Sequence, residues 1–322
     1  MTLQELRIGT RGSQLALYQA NWVKEKLVQA YPHLKVTLIK IKTTGDKIQD
    51  APLAKIGGKG LFVKEIEEAL MQRGIDLAVH SIKDVPTELP EGLHLSAITK
   101  REDPRDVFIS KDGTLLKNLP QSAKIGTSSL RRQAQLLYFR SDFEMVPLRG
   151  NLDTRLKKLK TMNLDGIVLA YAGVKRLGLE EKITEILSTE ISLPAAGQGA
   201  LGIETRMDDE EVEEKIRFLN DPSSAIAILS ERAFLRKLGG GCQVPIAAFG
   251  QIVGSTLQID GMVATTDGKK LIRHSLEDTP EEAESLGIRL ATMLLERGAR
   301  KILEEIYKRS TPTVSIEEQN HG

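Results

Sequence analysis

Ile125-Gly126-Thr127-Ser128-Ser129-Leu130-Arg131-Arg132-Gln133-Ala134-Gln135-Leu136 reads as a short strand, a glycine-containing turn, a hydroxyl cap and the first turns of a helix. The same pattern stands near the start of the chain. There a strand over residues 6–9 runs into Thr10-Arg11-Gly12-Ser13, and a helix follows over about 14–30 with Leu15, Leu17, Ala20, Val23 and Leu27 as its expected buried positions. In each copy the free amides of a helix N-terminus face whatever lies beyond the turn, an arrangement that suits an anion. One copy alone is an ordinary capped helix; the recurrence makes it an organising feature.

The echo continues downstream. Gly60-Leu61-Phe62-Val63-Lys64 opens a helix that ends near Gly74 and feeds a strand over 76–84, while Gly150-Asn151-Leu152-Asp153-Thr154-Arg155 opens one that feeds a strand over 165–170. Two similar α/β domains follow, with helix N-termini along one sheet edge of each and a cleft between them. The charged run 100–105 and the small-residue run 192–199 read as two hinge crossings, so the first domain is expected to comprise 1–99 plus 200–219 and the second 100–199. After Asn220-Asp221-Pro222 come a helix, three short strands over 246–253, 256–263 and 270–275, and a helical segment over 280–307 broken near Gly298. This third domain, 220–309, is expected to be a small α+β unit with an antiparallel sheet, and 310–322 a frayed polar tail. The fold class is therefore α/β in three domains, two of them periplasmic-binding-protein-like around a hinged cleft.

Composition narrows the function. The 322 residues are 40% hydrophobic and 28% charged, as in a globular protein that buries a large core. Neither a signal peptide nor an apolar stretch of membrane-spanning length is visible, and one cysteine makes no internal disulfide. Five scattered histidines form no metal-ligand cluster. The expectation is a cytoplasmic protein without metal. Forty-five basic and 44 acidic side chains leave a net charge of +1, which offers no global field for nucleic acid.

The basic residues are nevertheless placed unevenly. Arg11, Lys55, Lys59, Lys83, Arg131, Arg132, Arg149, Arg155 and Arg176 fall at strand-to-helix turns of both halves, where guanidinium forks suit carboxylates. The ligand implied carries many carboxylates or phosphates; no P-loop is present, so nucleotide binding is weakly supported. Asp84 stands among these cations at the end of its strand, where it can stabilise positive charge and carry protons, or simply be exposed. His80 reads as a residue packed beneath the site, and Phe62 as core or pocket wall. Leu238-Gly239-Gly240-Gly241-Cys242-Gln243-Val244-Pro245 holds the only cysteine on an open glycine loop. That thiol can be a nucleophile, a covalent anchor or an inert small hydrophobe.

Four stretches together, 76–86, 126–132, 148–151 and 240–245, resemble the porphobilinogen deaminase (hydroxymethylbilane synthase) family, and the likeness runs over about 7–307. The resemblance implies a dipyrromethane cofactor on Cys242 through a thioether, and head-to-tail condensation of four porphobilinogen molecules with ammonia released each time. It further implies Asp84 as the catalytic residue, Lys83, Ser81, Thr127, Ser129, Arg131, Arg132 and Arg155 around the cofactor, and Arg11, Ser13, Arg149, Arg176 and Phe62 around substrate. Lys55 and Lys59 would lie on a loop over the cleft, and the family implies a monomer; composition and charge already point to no metal, membrane or nucleic-acid partner. The competing class is a two-domain polycarboxylate-binding protein without catalysis, which leaves Cys242 and Asp84 unexplained. A cysteine hydrolase would need a base beside the sulfur, and none of the five histidines has a recognisable pairing with it.

Overall fold

Two five-stranded sheets share one plan. The computed structural model describes residues 3–47, 60, 62–240 and 244–310. In the first sheet β1 (Glu5–Thr10) lies between β2 (Lys35–Lys40) and β3 (Leu77–Ser81), parallel to both, while β4 (Leu93–Ile98) forms the far edge. In the second, β5 (Asp106–Ser110) lies antiparallel between β8 (Gly166–Ala170) and the edge strand β9 (Glu185–Ile186), and β6 (Lys124–Gly126) is parallel to both β7 (Glu144–Val146) and β8. The chain then returns, and β10 (Leu201–Arg206) inserts antiparallel between β3 and β4. In each sheet the fourth position is thus filled by the strand that has just crossed from the other unit. Both crossing strands are buried along their whole length, as strands covered on two faces must be.

Helix α1 (Gln14–Ala30) lays Ala20, Val23 and Leu27 on Leu6, Ile8, Val79 and Ile203 of the first sheet. Each large aliphatic side chain buried there contributes roughly 1.5–3 kcal/mol. Leu15 and Leu17, expected in the same core, are only half-buried, and Ala16 and Gln19 take the sheet-facing places. Leu15 instead approaches Gly173, and Leu17 lines an opening toward the second unit. Helix α2 (Lys64–Met71) covers the sheet's other face through Ile66 and Leu70. In the second unit α3 (Leu130–Phe139), α4 (Leu152–Thr161) and α5 (Tyr171–Arg176) follow β6, β7 and β8 in turn. Helix α6 (Glu210–Ile216), after β10, packs Val212 and Ile216 back on the first core.

Helix α7 (Pro222–Lys237) opens the last unit, in which β11 (Ile246–Val253), β12 (Thr256–Ala264) and β13 (Leu271–Asp278) form an antiparallel sheet. The third strand runs three residues beyond its expected end at 275, because all eight of its residues pair with β12. One face carries α7 and α8 (Ala283–Leu294), with Phe234, Leu257, Ile259, Leu286 and Leu290 between them. The other sets Ala247, Met262 and Ala264 against Ala134 of α3 and Leu193. A kink at Gly298, φ +106°, leads into α9 (Arg300–Ser310).

The three units meet at one buried ion pair. Glu231 of α7 pairs with Arg101 of the first crossing at 2.5 Å and accepts from the backbone N–H groups of Gly197 at 2.6 Å and Gly250 at 2.7 Å. The second crossing is also tightly seated: a Cβ on Gly197 would lie 2.0 Å from Ile82 Cγ2, and one on Gly199 2.4 Å from the Glu102 carbonyl. Both glycines have positive φ, so any other residue there is both crowded and strained. Among the described residues no helix is long and apolar enough to cross a membrane.

Candidate active site

The strand read over 76–84 ends as β at Ser81, and Ile82–Asp84 form a 3-10 turn. The turn is dictated by hydrogen bonding: Ile82 N–H goes to Ala200 O at 3.2 Å and Val85 N–H returns to Ile82 O at 3.0 Å, just ahead of Pro86. Asp84 therefore projects from a short turn at the C-terminal edge of β3 and is exposed. No side chain or backbone N–H among the described residues donates to its carboxylate. Arg232 of α7 holds the following backbone, donating to Val85 O at 3.2 Å and Pro86 O at 2.6 Å.

Cations surround this turn. Lys83 is pushed down to about 8 by burial, with Asp84 acting in the opposite direction. Burial also lowers Arg155 to about 10, with Arg132, Asp84 and Arg149 as its charged neighbours. The Arg155 side chain is braced by Nε donation to Gly150 O at 2.9 Å. Arg149 is lowered by burial, and nothing among the described residues accepts from its guanidinium. Lys83, Asp84, Arg149, Arg155, Arg131 and Arg132 thus form one electrostatic neighbourhood across the gap between the first and second units.

Arg131 and Arg132 are not free cations. Both lie in the first turn of α3 and are about 95% buried, and both pair with Asp106 of β5, at 2.9 and 2.7 Å. Arg131 also donates to Leu193 O and Arg132 to Val168 O. Arg132 Nε is buried with no partner among the described residues. Burial opposes ionisation of Asp106, but the two guanidiniums together hold its carboxyl far below the usual range. Ser129 caps α3, accepting from Arg132 N, and Thr127 Oγ1 accepts from Ser129 N, so the two hydroxyl residues shape the turn. Ser81 Oγ accepts from Gln19 Nε2 at 2.9 Å.

The remaining expected residues fall into two other places. Ser13 caps α1, and Arg11 beside it pairs with Asp46 at 2.5 Å and stacks over Phe62 at 4.3 Å. Arg176, lowered by burial, donates to Gly199 O at 2.6 Å and lines a cleft of about 720 Å3 between α1 and α5, with Tyr18, Asn21 and Asp153. His80 lies in the core bonded to Glu204. Lys55, Lys59 and Cys242 lie outside the described residues. Sequence reading missed Asp106, Arg232 and Gln198. Asp106 directly follows the charged run taken as a crossing, and Arg232 sits in a helix read only as a lead-in to the cysteine loop.

The set suits a ligand with several carboxylates. Arg132 Nε and the Arg149 guanidinium are donors unmatched among the described residues, and Lys83 and Arg155 are cations whose burial cost a carboxylate would relieve. Residues 6–214 match a family model described as "Porphobilinogen deaminase, dipyromethane cofactor binding domain", and 225–296 match "Porphobilinogen deaminase, C-terminal domain". A porphobilinogen deaminase of Geotalea daltonii is 60% identical over 309 residues, covering 96% of this chain and 97% of that one. One of Geobacter sulfurreducens is 58% identical over the same length and coverage. Among solved structures, a probable amino-acid transporter extracellular-binding protein of Bacillus subtilis is similar at 13% identity and a TM-score of 0.40, over 68% of this chain and 90% of that one.

Proposed function

Because the chain belongs to the porphobilinogen deaminase family, transferases of tetrapyrrole biosynthesis with a dipyrromethane cofactor-binding domain, we propose that it joins four porphobilinogen molecules head to tail, releasing ammonia at each step, with Cys242 carrying the cofactor through a thioether. The observation that carries this reading is Asp84: an exposed carboxylate, unpaired among the described residues, in a field of partly buried cations. The dipyrromethane supplies the pyrrole end to which the first substrate is joined.

Every other part of the mechanism belongs to the chain's own residues. Arg149, Arg155 and Lys83 bind acetate and propionate groups, and Arg131 and Arg132 face the same ligand while remaining fixed by Asp106. Burial holds Lys83 down at about 8, and a carboxylate arriving beside it favours the charged amine. The Asp84 carboxylate orients the pyrrole N–H, stabilises the positive charge left on the substrate as ammonia departs, and takes part in the proton transfers. Its short turn and the Arg232 brace hold it in place. Ser81, Thr127 and Ser129 support the cofactor side; Arg11, Ser13, Phe62 and Arg176 meet incoming substrate or the growing chain, and Lys55 and Lys59 lie over the cleft.

In this reading 1–99 with 200–219 and 100–199 are the two domains of the cleft, the crossings are its hinge, and 220–309 presents the cysteine. The chain acts as a cytoplasmic monomer without metal, membrane or nucleic acid. Intact mass of the purified protein beside Cys242→Ser tests the anchor. The native protein is expected to be heavier than its sequence by two condensed pyrrole units, and the variant to match its sequence. A native protein that gains no mass even after addition of porphobilinogen, or a Cys242→Ser protein with full turnover, contradicts the proposal.

A further inference from the structure

The side chain that connects the two halves of the cation field is an amide. Gln198 lies on the second crossing and is 1% exposed. Its Nε2 donates to Asp106 Oδ1 at 2.9 Å and to Pro104 O at 2.6 Å, and its Oε1 accepts from Lys83 Nζ at 3.3 Å. Its backbone carbonyl accepts from Arg101 Nε at 2.8 Å, which ties the same residue to the three-unit ion pair. The direction of the amide is fixed by charge. Turned over, it would aim an N–H pair at an ammonium and an oxygen at a carboxylate. A glutamate at 198 would face Asp106 with like charge, and a lysine or arginine would crowd Lys83. A neutral group that donates on one side and accepts on the other meets both demands.

We propose that Gln198 is a positioning residue: its amide fixes Lys83, on the first unit, at a set distance from Arg131 and Arg132, on the second, so that cations of both units bind carboxylates of neighbouring pyrrole rings in one register. This rests on the proposed role of Lys83 as a carboxylate-holding residue and extends it. Asp106 is the relay, since the same carboxylate accepts from Gln198 and from both arginines.

The test uses the holoenzyme with Gln198→Met, which keeps the length and removes both polar ends, and Gln198→Glu, which keeps an oxygen toward Lys83 and adds charge. Acetylation of Lys83 by acetic anhydride is followed against pH by mass spectrometry, with the exposed Lys100 as reference. Gln198→Met is expected to move the Lys83 midpoint down and Gln198→Glu to move it up, each by about half a pH unit or more, with Lys100 unmoved. The methionine variant is also expected to lose roughly tenfold in kcat. General loosening would move Lys83 toward its ordinary value in both variants, so opposite shifts single out the link. The downward shift carries the test alone if Gln198→Glu fails to fold, because loosening raises the midpoint; Gln198→Leu, which likewise lacks both polar ends, replaces Gln198→Met if that variant fails to fold. Midpoints that stay put or move together, or an undiminished kcat in Gln198→Met, overturn the proposal. Lys83→Met separates it from its premise: normal turnover there removes Lys83 from carboxylate binding without bearing on the two shifts.

Discussion

Strands β10 and β5 hold the same place in the two sheets, and each brings a fully buried carboxylate into opposite company. Glu204 of β10 meets the imidazole of His80 at 2.9 Å, and its second oxygen has no partner among the described residues. Glu67 of α2 lies close enough to be affected: burial first, and then the charge of Glu204, push its carboxyl up to about 7. Asp106 of β5 meets two guanidiniums, the hydroxyl of Ser192 and the amide of Gln198. The first unit thus buries an excess of acid behind its site, and the second an excess of base. One scaffold, used twice, yields a side that presents a free carboxylate at Asp84 and a side that presents fixed positive charge. In the proposed reaction, that division serves to join anionic pyrroles through a cationic transition state.

Removing the second unit's carboxylate should be the most damaging change. Asp106→Ala leaves two buried guanidiniums without their partner, and a loss of about 3–5 kcal/mol is expected in denaturant unfolding. The folded-state pKa of Asp106 is depressed, so its contribution is present above the ordinary carboxylate value of about 4 and lost as pH falls below it. The gap between parent and variant should therefore be constant from pH 5 to 8 and narrow below about 4. A variant as stable as the parent at pH 7 would break the contrast between the units.

The first unit should respond weakly and with the opposite sign. Glu67 has a raised folded-state pKa, so the folded protein binds the extra proton between the ordinary value of 4.5 and about 7, and stability is lost as pH rises through that window. Glu67→Gln removes the loss. A thermal midpoint a few degrees above the parent at pH 8, and closer to it at pH 5, is expected. A midpoint lowered at pH 8 would mean that the Glu67 carboxylate is stabilised by its surroundings, contrary to the acid excess described above.

Much of this architecture was legible because it is local. The turn sequences around Arg11-Gly12-Ser13 and Ser128-Ser129 name their helix caps directly, and the paired spacing of Gly60 and Gly150 to their strands revealed the duplicated unit. The return of β10 could be read from two small or charged runs. The order of strands, with each crossing strand in the fourth place, could not: it depends on which backbones pair across more than a hundred residues. The misplaced Leu15 and Leu17 are an error of the same kind, since a helix that touches two units has two apolar faces and periodicity assigns only one. At the site, residue types and turn positions picked out Asp84 and its cations. They gave no sign that Arg131 and Arg132 are shared with Asp106, because a buried ion pair leaves no periodic mark, and Gln198 was hidden in a run that read only as a crossing.

The division of labour between the units is tested most directly by ammonia release in a single turnover of Asp84→Asn holoenzyme. Asp84 is exposed and has no partner among the described residues, so the substitution should leave the thermal midpoint and the cofactor mass unchanged. The account predicts that ammonia release slows by about a thousandfold while porphobilinogen still binds. Release within tenfold of the parent rate would contradict it, and would mean that the positive charge is stabilised without this carboxylate.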